Sequence, residues 1–393
     1  MLTNFYYRLL IIALIMSLTK IYTGLLSPAI PALALNLGVS ITNIQQLISI
    51  RMATTALVKF LFVLIPSSLC TLWLLIGLGL FSLTSLLSAL CSDYQSLLIS
   101  QIGSGAGLGT MMFVLMIMRD WFSGQQLRQF NSNVSILISI IHPLCPLIGG
   151  LLLTHFSWES LFVAMTLFAG ICVFGLISTI DFQKSHIPSQ PLQRLRSISS
   201  IIRYLRDNPT LGLVSIQLMM TRGGALIWPL CLPVFLIDQL SWSPEKFGLA
   251  FTSITMIVQI VGAFSNRFAI TNFSETGIIR SCHGMIIAGI LPLVFLSYGP
   301  TFANSLLITM GIYYFFTTFL WSNYSTLVFG NYPKDPSLTS SIYGLSDTLA
   351  GVIAALVSAT LYYQNTFSFA AAIIAMHSLA YYCNHRIEQR QPR

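Results

Sequence analysis

Long apolar segments separated by short polar turns dominate the chain. Twelve of these segments are long enough to cross a bilayer, because a spanning helix needs about 20 mainly apolar residues. We place them at about 8–34, 43–66, 71–91, 95–118, 132–154, 160–180, 209–237, 246–270, 277–298, 303–329, 338–362 and 366–383. The pattern predicts an all-α polytopic membrane protein with twelve transmembrane helices.

The composition supports this prediction and indicates no cofactor chemistry. Of the 393 residues, 55% are hydrophobic and only 8% are charged, whereas charged residues make up about 25% of an average soluble domain. The first apolar segment has only Arg8 before it, and we interpret it as a transmembrane helix rather than a cleaved signal peptide. The seven cysteines show neither metal-ligand spacing nor a pattern of pairs. We expect them to be small apolar residues, with no metal and no cofactor bound.

Basic residues outside the apolar segments lie almost entirely on one side of the predicted membrane. Fourteen lysines and arginines fall at the termini or in even-numbered turns, against Lys246 alone on the opposite side. This asymmetry follows the positive-inside rule and predicts cytoplasmic termini and a cytoplasmic central loop. The fourteen residues are Arg8, Arg119, Arg128, Lys184, Arg194, Arg196, Arg203, Arg206, Arg267, Arg280, Lys334, Arg386, Arg390 and Arg393.

A long polar connection divides the twelve segments into two sets of six. We predict an N-terminal six-helix bundle at 1–180, a basic cytoplasmic linker at 181–208 and a C-terminal six-helix bundle at 209–393. Within the linker, Ser197–Leu205 has the apolar spacing of a short helix that lies on the membrane surface.

A weak sequence echo relates the two halves. Pro28-Ala29-Ile30-Pro31 followed by Leu37-Gly38-Val39-Ser40 ends the first segment. Leu232-Pro233-Val234-Phe235 followed by Leu240-Ser241-Trp242-Ser243 ends the seventh segment. The echo predicts two parallel, pseudo-symmetric halves, an arrangement that places a solute site between them near the bilayer midplane.

The stretch from Arg119 to Phe162 joins a charged turn to an unusual apolar segment. Arg119 and Asp120 end one predicted helix, and the next carries two prolines and two adjacent glycines at mid-depth: Pro143, Pro146, Gly149 and Gly150. Proline in a spanning helix frees backbone groups, and glycine lets a neighbouring backbone approach closely. The motif is therefore interpreted either as a helix-packing surface or as a hinge or seal between two moving halves.

At these residues the chain resembles the Bcr/CflA-type drug-resistance transporters of the major facilitator superfamily. The resemblance covers nearly the whole length and is carried by both parts of the N-terminal echo, Arg119-Asp120 with Ser123-Gly124, the proline–glycine segment with Ser157-Trp158, Ser243-Pro244 with Phe247-Gly248-Leu249, and Asn323. It implies a monomeric, multi-pass transporter of a bacterial-type inner membrane. In this family the solute is a small molecule, and protons drive its export.

Several positions depart from the pattern of that subfamily. The turn after the second segment, Leu64–Thr71, carries no charge, although the family usually has an Asp-Arg-containing turn there. Gly24 stands where the family often has an acidic residue, and Gln101 replaces an arginine. Two small positions of the proline–glycine segment are His142 and Cys145. The usual proton-coupling and gating groups are therefore largely missing.

Ionisable residues inside the predicted helices are functional candidates, because each costs roughly 2.5–3.5 kcal/mol near the bilayer centre. They are Lys20, Arg51, Lys59, His142, Arg222 and Asp347, whereas His283 and His377 are interpreted as structural. Two alternatives stay open. Arg51 and Lys59 can extend towards opposite interfaces, and Arg222 and Asp347 can neutralise one another.

The resemblance places the helices that carry these candidates around a central cavity. Lys20, Arg51 and Lys59 have no acidic residue within the N-terminal segments, so the cavity is expected to attract an anion and repel cationic drugs. Trp228 and Asn323, together with Tyr22, Trp321 and Tyr343, can supply stacking and hydrogen bonds along the solute pathway.

Three functions follow from these observations. The first is a transporter of a small organic anion, such as a polycarboxylate or a siderophore-like molecule, that works by alternating access. Asp347 and His142 are then the candidates for proton coupling. The second is the proton-coupled exporter of amphipathic drugs or metabolites that the resemblance implies, and the third is a non-transporting receptor on a degenerate transporter fold. We expect no enzyme and no nucleic-acid partner, because no nucleotide loop, metal cluster or nucleophile elbow occurs.

Overall fold

A computed structural model describes residues 2–63, 70–122, 124–179, 198–295, 302–331, 336–361 and 366–390. Its α-helices are α1 Leu2–Leu26, α2 Ile30–Asn36, α3 Ile41–Val63, α4 Cys70–Ala89, α5 Tyr94–Gly109, α6 Val114–Trp121, α7 Gly124–His155, α8 Glu159–Thr179, α9 Ile198–Asp207, α10 Pro209–Pro233, α11 Pro244–Asn272, α12 Glu275–Ile290, α13 Phe302–Asn331, α14 Pro336–Leu361 and α15 Thr366–Glu388. Short 3₁₀ turns cover Ser27–Ala29, Thr110–Phe113 and Leu291–Phe295, and Val234–Gln239 is π-helical. In the described ranges no strand interrupts this helical order.

The twelve-helix, all-α architecture predicted from the sequence is confirmed. Within the described part of the chain, ten helical stretches have the length and hydropathy of a membrane span. The other two long stretches are α3, which carries Arg51 and Lys59, and the α5–α6 stretch, which the turn at Thr110–Phe113 interrupts.

Two predicted segments differ in detail from the helices that contain them. The first predicted segment, 8–34, is broken at Ser27–Ala29, where Pro28 and Pro31 remove backbone donors. The fifth segment, 132–154, lies in α7, which begins at Gly124, roughly two helical turns before residue 132. The residues that precede Ser132 are polar helix formers such as glutamine and arginine, which continue a helix beyond the apolar layer.

The loops that follow the first and seventh predicted segments share a backbone feature. Gly38 has φ +63°, and Ser241, its counterpart in the sequence echo, has φ +55°. In the first loop, Val39 N donates to Ala34 O at 3.0 Å, which ends α2 with the left-handed turn that glycine favours. Such a φ is uncommon outside glycine. The matching turn at Ser241 therefore supports the pseudo-symmetry of the two halves.

The first of two compact units comprises residues 1–40, 50–197 and 242–249. In this unit α1 packs against α7 and α8, and α4 packs against α5 and α8. Close packing depends on small residues. A Cβ on Gly107 would lie 2.5 Å from the carbonyl oxygen of Gly77, so α4 and α5 touch backbone to backbone.

The second compact unit comprises residues 41–49, 198–241 and 250–393. Here α10 packs against α14, α15 and α13, and α12 packs against α13 and α15. A helix is present where Ser197–Leu205 predicted one, as α9, Ile198–Asp207, and its location on the membrane surface stays a prediction. The predicted domain boundaries at 180 and 208 stay a prediction, because the linker residues 180–197 and the turn at 64–69 lie outside the described residues.

Candidate functional site

Arg51 is the most deeply buried charged residue that the sequence analysis selected. It lies on α3 with 0% of its surface exposed, and its guanidinium carbon is 4.0 Å from the centroid of the Tyr22 ring. Its Nη2 donates to Thr23 Oγ1 at 3.4 Å. Among the described residues, its Nε and Nη1 groups have no hydrogen-bond acceptor. The cation is held by an aromatic face, and part of its donor fork has no acceptor in the described part of the chain.

A chain of polar side chains fixes the ring on which Arg51 rests. The Tyr22 hydroxyl donates to Gln101 Oε1, and Gln101 Nε2 donates to Ser88 Oγ at 3.1 Å. Ser88 and Ser100 share a hydrogen bond of 2.7 Å between their hydroxyls. Gln101 occupies the position where the resemblance expects an arginine, so the positive charge of this region lies on α3 instead of α5.

Glycine lets α3 and α5 approach at the height of Arg51. A Cβ on Gly105 would collide with the carbonyl oxygen of Arg51, and Thr55 Oγ1 donates to the carbonyl oxygen of Gly105 at 3.0 Å. The backbone that carries Arg51 is therefore locked against α5, so Arg51 and Tyr22 are held in a fixed geometry.

The other two N-terminal cations are more accessible. Lys20 on α1 and Lys59 on α3 are both half-buried. Lys20 stands two residues before Tyr22, and Lys59 follows Arg51 on α3 by eight residues, about 12 Å along the helix. Arg51 therefore contacts α1 at Tyr22, two residues after Lys20. Lys59 lies farther from this contact along α3.

Arg222 and Asp347 form an ion pair in the second unit. Arg222 Nε lies 2.9 Å from Asp347 Oδ1, with side-chain exposures of 13% and 39%. The Arg222 guanidinium carbon is also 4.7 Å from the centroid of Trp321. The alternative in which these two charges neutralise one another matches this geometry. Arg222 thus adds little net charge to its surroundings.

Trp228 and Asn323 are core residues of the second unit. Trp228 is fully buried, and its ring lies 5.8 Å from that of Tyr313 and 4.8 Å from that of Phe369. Asn323 Nδ2 donates to Asn266 Oδ1 at 3.1 Å and therefore links α13 to α11. Their assignment to a solute pathway stays a prediction, because packing already accounts for both positions.

The proline–glycine motif lies in an unbroken helix. α7 continues through Pro143 and Pro146. A Cβ on Gly149 would lie 2.5 Å from the Leu25 carbonyl oxygen, and one on Gly150 would collide with Pro244. Both glycines therefore serve close helix contacts within the first unit, and a gating role stays a prediction.

The remaining candidates of this region are only partly described. His142 is half-buried on α7, so its accessibility is compatible with the proton-coupling role predicted for it. Arg119 and Asp120 lie on α6, with side chains outside the described residues.

Sequence reasoning missed a closed ring of buried hydrogen bonds in the second unit. His283 Nδ1 lies 2.9 Å from His377 Nδ1. His283 Nε2 lies 2.8 Å from the Tyr324 hydroxyl, and His377 Nε2 lies 3.0 Å from the Tyr313 hydroxyl. Both tyrosines meet Thr221, one at its hydroxyl and one at its carbonyl oxygen, each at 3.0 Å. The ring joins α10, α12, α13 and α15 and is adjacent in sequence to Arg222.

The proton positions in this ring follow from its acceptors. The Thr221 carbonyl can only accept, so the Tyr313 hydroxyl donates to it and must accept from His377 Nε2. A neutral His377 then has a bare Nδ1, which accepts from His283 Nδ1. His283 Nε2 in turn accepts from Tyr324, which accepts from the Thr221 hydroxyl. With both histidines neutral, this is the one arrangement that keeps all five bonds. The sequence shows two histidines in predicted helices, but only the packing of those helices shows that the two side chains pair.

The described part of the chain offers no metal site as an alternative to Arg51 and to the Arg222–Asp347 pair. It contains no cluster of three or more histidine, cysteine or acidic side chains that could hold a metal ion. The cysteines there are free thiols, most of them buried. The candidate site is therefore Arg51 with its contacts Tyr22 and Thr23, which we call the Arg51 region. The Arg222–Asp347 pair is its counterpart in the second unit.

Comparison with known proteins identifies related sequences. The sequence model of the Major Facilitator Superfamily matches residues 10–358. Multidrug resistance protein MdtL of Shewanella sp. (strain ANA-3) is 25% identical over 225 residues, which cover 56% of this chain and 54% of MdtL. The chain thus matches about half the length of this relative. The uncharacterized MFS-type transporter YdgK of Bacillus subtilis (strain 168) is 25% identical over 291 residues, covering 71% and 70% of the two chains.

Solved structures match over nearly the full length. The nucleoside transporter NupG superposes with a TM-score of 0.70 at 13% identity and covers 98% of each chain. A bacterial homologue of the human lysosomal transporter Spinster gives a TM-score of 0.71 at 11% identity, with 99% of each chain covered. At such low identities the superpositions establish the fold and do not indicate a substrate.

Proposed function

Because the chain belongs to the major facilitator superfamily, we propose that it moves a small organic anion across the membrane by alternating access. The chain is a multi-pass membrane transporter rather than an enzyme. The proposal concerns the solute: a polycarboxylate or a siderophore-like anion. We further propose that the chain is a Bcr/CflA-type monomer of the inner membrane with cytoplasmic termini, as its basic residues suggest.

One observation carries the proposal: Arg51 is fully buried, and its Nε and Nη1 groups lack acceptors in the described part of the chain. A buried charge without a partner is strongly unfavourable. A carboxylate matches the planar donor fork of arginine and would satisfy these groups. The Tyr22 face holds the guanidinium in place, so an arriving anion would meet a preorganised partner.

The distribution of charge favours an anion over a cationic drug. Arg222 is already neutralised by Asp347, whereas the N-terminal helices contribute Lys20, Arg51 and Lys59 without an acidic residue in their spans. The excess positive potential raises the local concentration of anions and repels cations. Trp228 and Asn323 stay in the proposal as pathway residues of the second unit.

Proton coupling is proposed for Asp347 and His142. A proton on Asp347 would cancel its charge and release Arg222, which links protonation to a change in the second unit. His142 lies on α7 together with Pro143, Pro146, Gly149 and Gly150, and we propose that this helix, with Arg119 and Asp120 before it, transmits movement during gating.

The test is uptake into proteoliposomes that contain the full chain. Labelled citrate, ferric citrate and iron-free siderophores are supplied as anions, and ethidium as a cation. We expect anion flux that Arg51→Gln removes, while Arg267→Gln, which changes an exposed cation on α11, leaves it intact. Equal flux in wild type and Arg51→Gln for every anion would overturn the proposal.

The second candidate is a proton-driven exporter of amphipathic drugs. The name of the related MdtL, a multidrug resistance protein, favours it. This function predicts ethidium export that depends on a proton gradient and survives Arg51→Gln. Ethidium export without anion flux would therefore favour the drug exporter and make the Arg51 region structural.

A further inference from the structure

An apolar groove opens in the second unit, and none of its lining residues belongs to the proposed solute pathway. It has a volume of about 520 Å³ and lies between α9, α10 and α14. Aliphatic side chains form most of its wall, including Leu205, Leu213, Ile216, Met219, Leu345 and Leu349. The volume is within the range of about 300–1,000 Å³ that is usual for clefts holding a small organic molecule.

A single cation lies among the groove residues in the described part of the chain. Arg390 follows α15 and is exposed. The other polar residues of the wall are Ser215 and Ser346. A long apolar surface with one cation at its rim fits a molecule that has a hydrocarbon chain and an anionic head.

α9 places the mouth of this groove at the surface of the membrane. The Tyr204 hydroxyl lies 3.0 Å from Thr339 Oγ1, which ties α9 to the first turn of α14. On α9, Ile202 is 61% exposed next to the exposed Arg203 and Arg206. An amphipathic helix with exposed apolar and basic residues lies in the headgroup layer. The groove therefore begins among lipid headgroups and runs along α10 and α14 into the hydrocarbon layer.

We propose that the groove binds an anionic phospholipid of the adjoining leaflet. One acyl chain lies between α10 and α14, and the phosphate pairs with Arg390. Basic pockets between spanning helices are suited to acidic headgroups, and apolar walls at this depth are satisfied only by hydrocarbon. The inference is independent of the transported solute.

The glycine at the groove provides a means to fill it. A Cβ on Gly212 meets no atom within 4 Å, so Gly212→Phe would occupy the cleft without a clash at its first carbon. Gly284 on α12 is equally open and is not part of the wall. Gly284→Phe is therefore a matched control. Arg386, also exposed, stands one helical turn before Arg390, and Arg386→Gln controls for the loss of one charge.

Native mass spectrometry of the full chain tests the proposal. The protein is extracted from nanodiscs of equal phosphatidylglycerol and phosphatidylcholine, and bound lipids are counted. We expect one phosphatidylglycerol retained in preference to phosphatidylcholine. Arg390→Gln should lower this preference about fivefold, the effect of one basic residue at an anionic surface, while Arg386→Gln does not.

Gly212→Phe should remove the retained lipid, and Gly284→Phe should leave it bound. Equal retention of both lipids by the wild-type protein would overturn the proposal without reference to any variant. Displacement of the lipid by citrate would also overturn it and would assign the groove to solute. Loss of transport in the reconstituted protein would leave these lipid counts unchanged, so the two proposals fail separately.

Discussion

Each compact unit places an arginine over an aromatic ring. The two arginines differ in whether an acidic side chain neutralises them. Arg51 in the first unit has no exposed surface and lies 4.0 Å from the centroid of Tyr22. Arg222 in the second unit lies 4.7 Å from the centroid of Trp321 and pairs with Asp347 at 2.9 Å. Both gain a cation–π interaction, but among the described residues only Arg222 of these two has an acidic partner.

Under the proposed function, Arg222 is a structural charge and Arg51 is the charge that binds solute. Moving a cation from water into the protein interior costs roughly several kcal/mol unless a counter-charge compensates it. Asp347 provides that compensation for Arg222 within the protein. Arg51 has no such partner in the described chain, and residues held against stability are common at functional sites. We therefore expect the two arginines to respond in opposite ways to replacement.

The largest effect is expected for Arg51→Met. Transport of the anion should fall to the level of empty liposomes, while thermal stability stays equal or rises, because methionine fills the volume without an unpaired charge. Parallel measurements of uptake and of thermal unfolding check both parts. Arg222→Met is the matched control and should lower stability, since it leaves Asp347 unpaired. An Arg51→Met protein that transports normally would end the comparison.

Tyr313→Phe should cost about 1–3 kcal/mol in the free energy of unfolding, because it leaves the buried His377 Nε2–H without its acceptor. Tyr313 accepts from His377 and donates to Thr221 O, whereas its neighbour Tyr314 donates to Ala225 O at 2.9 Å. Tyr314→Phe should cost a similar amount, because it leaves Ala225 O without a donor: Pro229, four residues further along α10, has no N–H. A Tyr313→Phe protein as stable as the wild type in denaturant unfolding would argue against the closed ring. Nitrogen NMR should also find the His377 proton on Nε2 and the His283 proton on Nδ1.

Asp347→Asn should lower the free energy of unfolding by about 1 kcal/mol, since the pair is partly exposed and its strength is reduced by solvent. The same change makes Arg222 resemble Arg51, because each arginine then lies over an aromatic ring without an acidic partner among the described residues. Combined with Arg51→Met, it should restore weak citrate binding, measured as a citrate-dependent rise in melting temperature. If the double variant does not respond to citrate, pairing is not what keeps Arg222 from binding anions.

The smallest effect compares the equivalent turns of the two halves. Ser241→Gly should stabilise the protein by up to about 1 kcal/mol: Ser241 has φ +55°, the left-handed conformation costs a residue with a side chain roughly 1–2 kcal/mol, and the extra freedom of glycine in the unfolded chain offsets about 0.5–1 kcal/mol of that gain. Gly38→Ser should destabilise it for the opposite reason. Denaturant unfolding of the two variants measures both shifts. A destabilised Ser241→Gly would show that the serine side chain, and not the backbone, matters at this turn.

The sequence predicted most of the fold because apolar length alone defines a spanning helix. Twelve segments, their order and the echo between the two loops were readable without coordinates. Boundaries were less secure where the helix and the apolar layer differ in length. α7 begins in polar residues before Ser132, and Pro28 breaks the first segment within an apolar run.

Only part of the candidate site could be predicted from the sequence. The cost of placing charge in a membrane selected Arg51, Arg222 and Asp347 as candidates, and the charges of Arg222 and Asp347 made an ion pair one alternative. Which arginine the aspartate neutralises depends on the packing of α10 against α14, which leaves no periodic signal in the sequence. The ring of His283 and His377 was missed for the same reason.

The sequence by itself determined that this chain lies in a membrane, how many times it crosses it and which residues carry charge into it. These properties depend on composition along a single helix, and the cost of exposing polar backbone or charge to lipid enforces them locally. Only the tertiary structure decided which charges are neutralised. Hydrogen bonds and ion pairs join atoms on different helices, and their distances depend on how those helices pack.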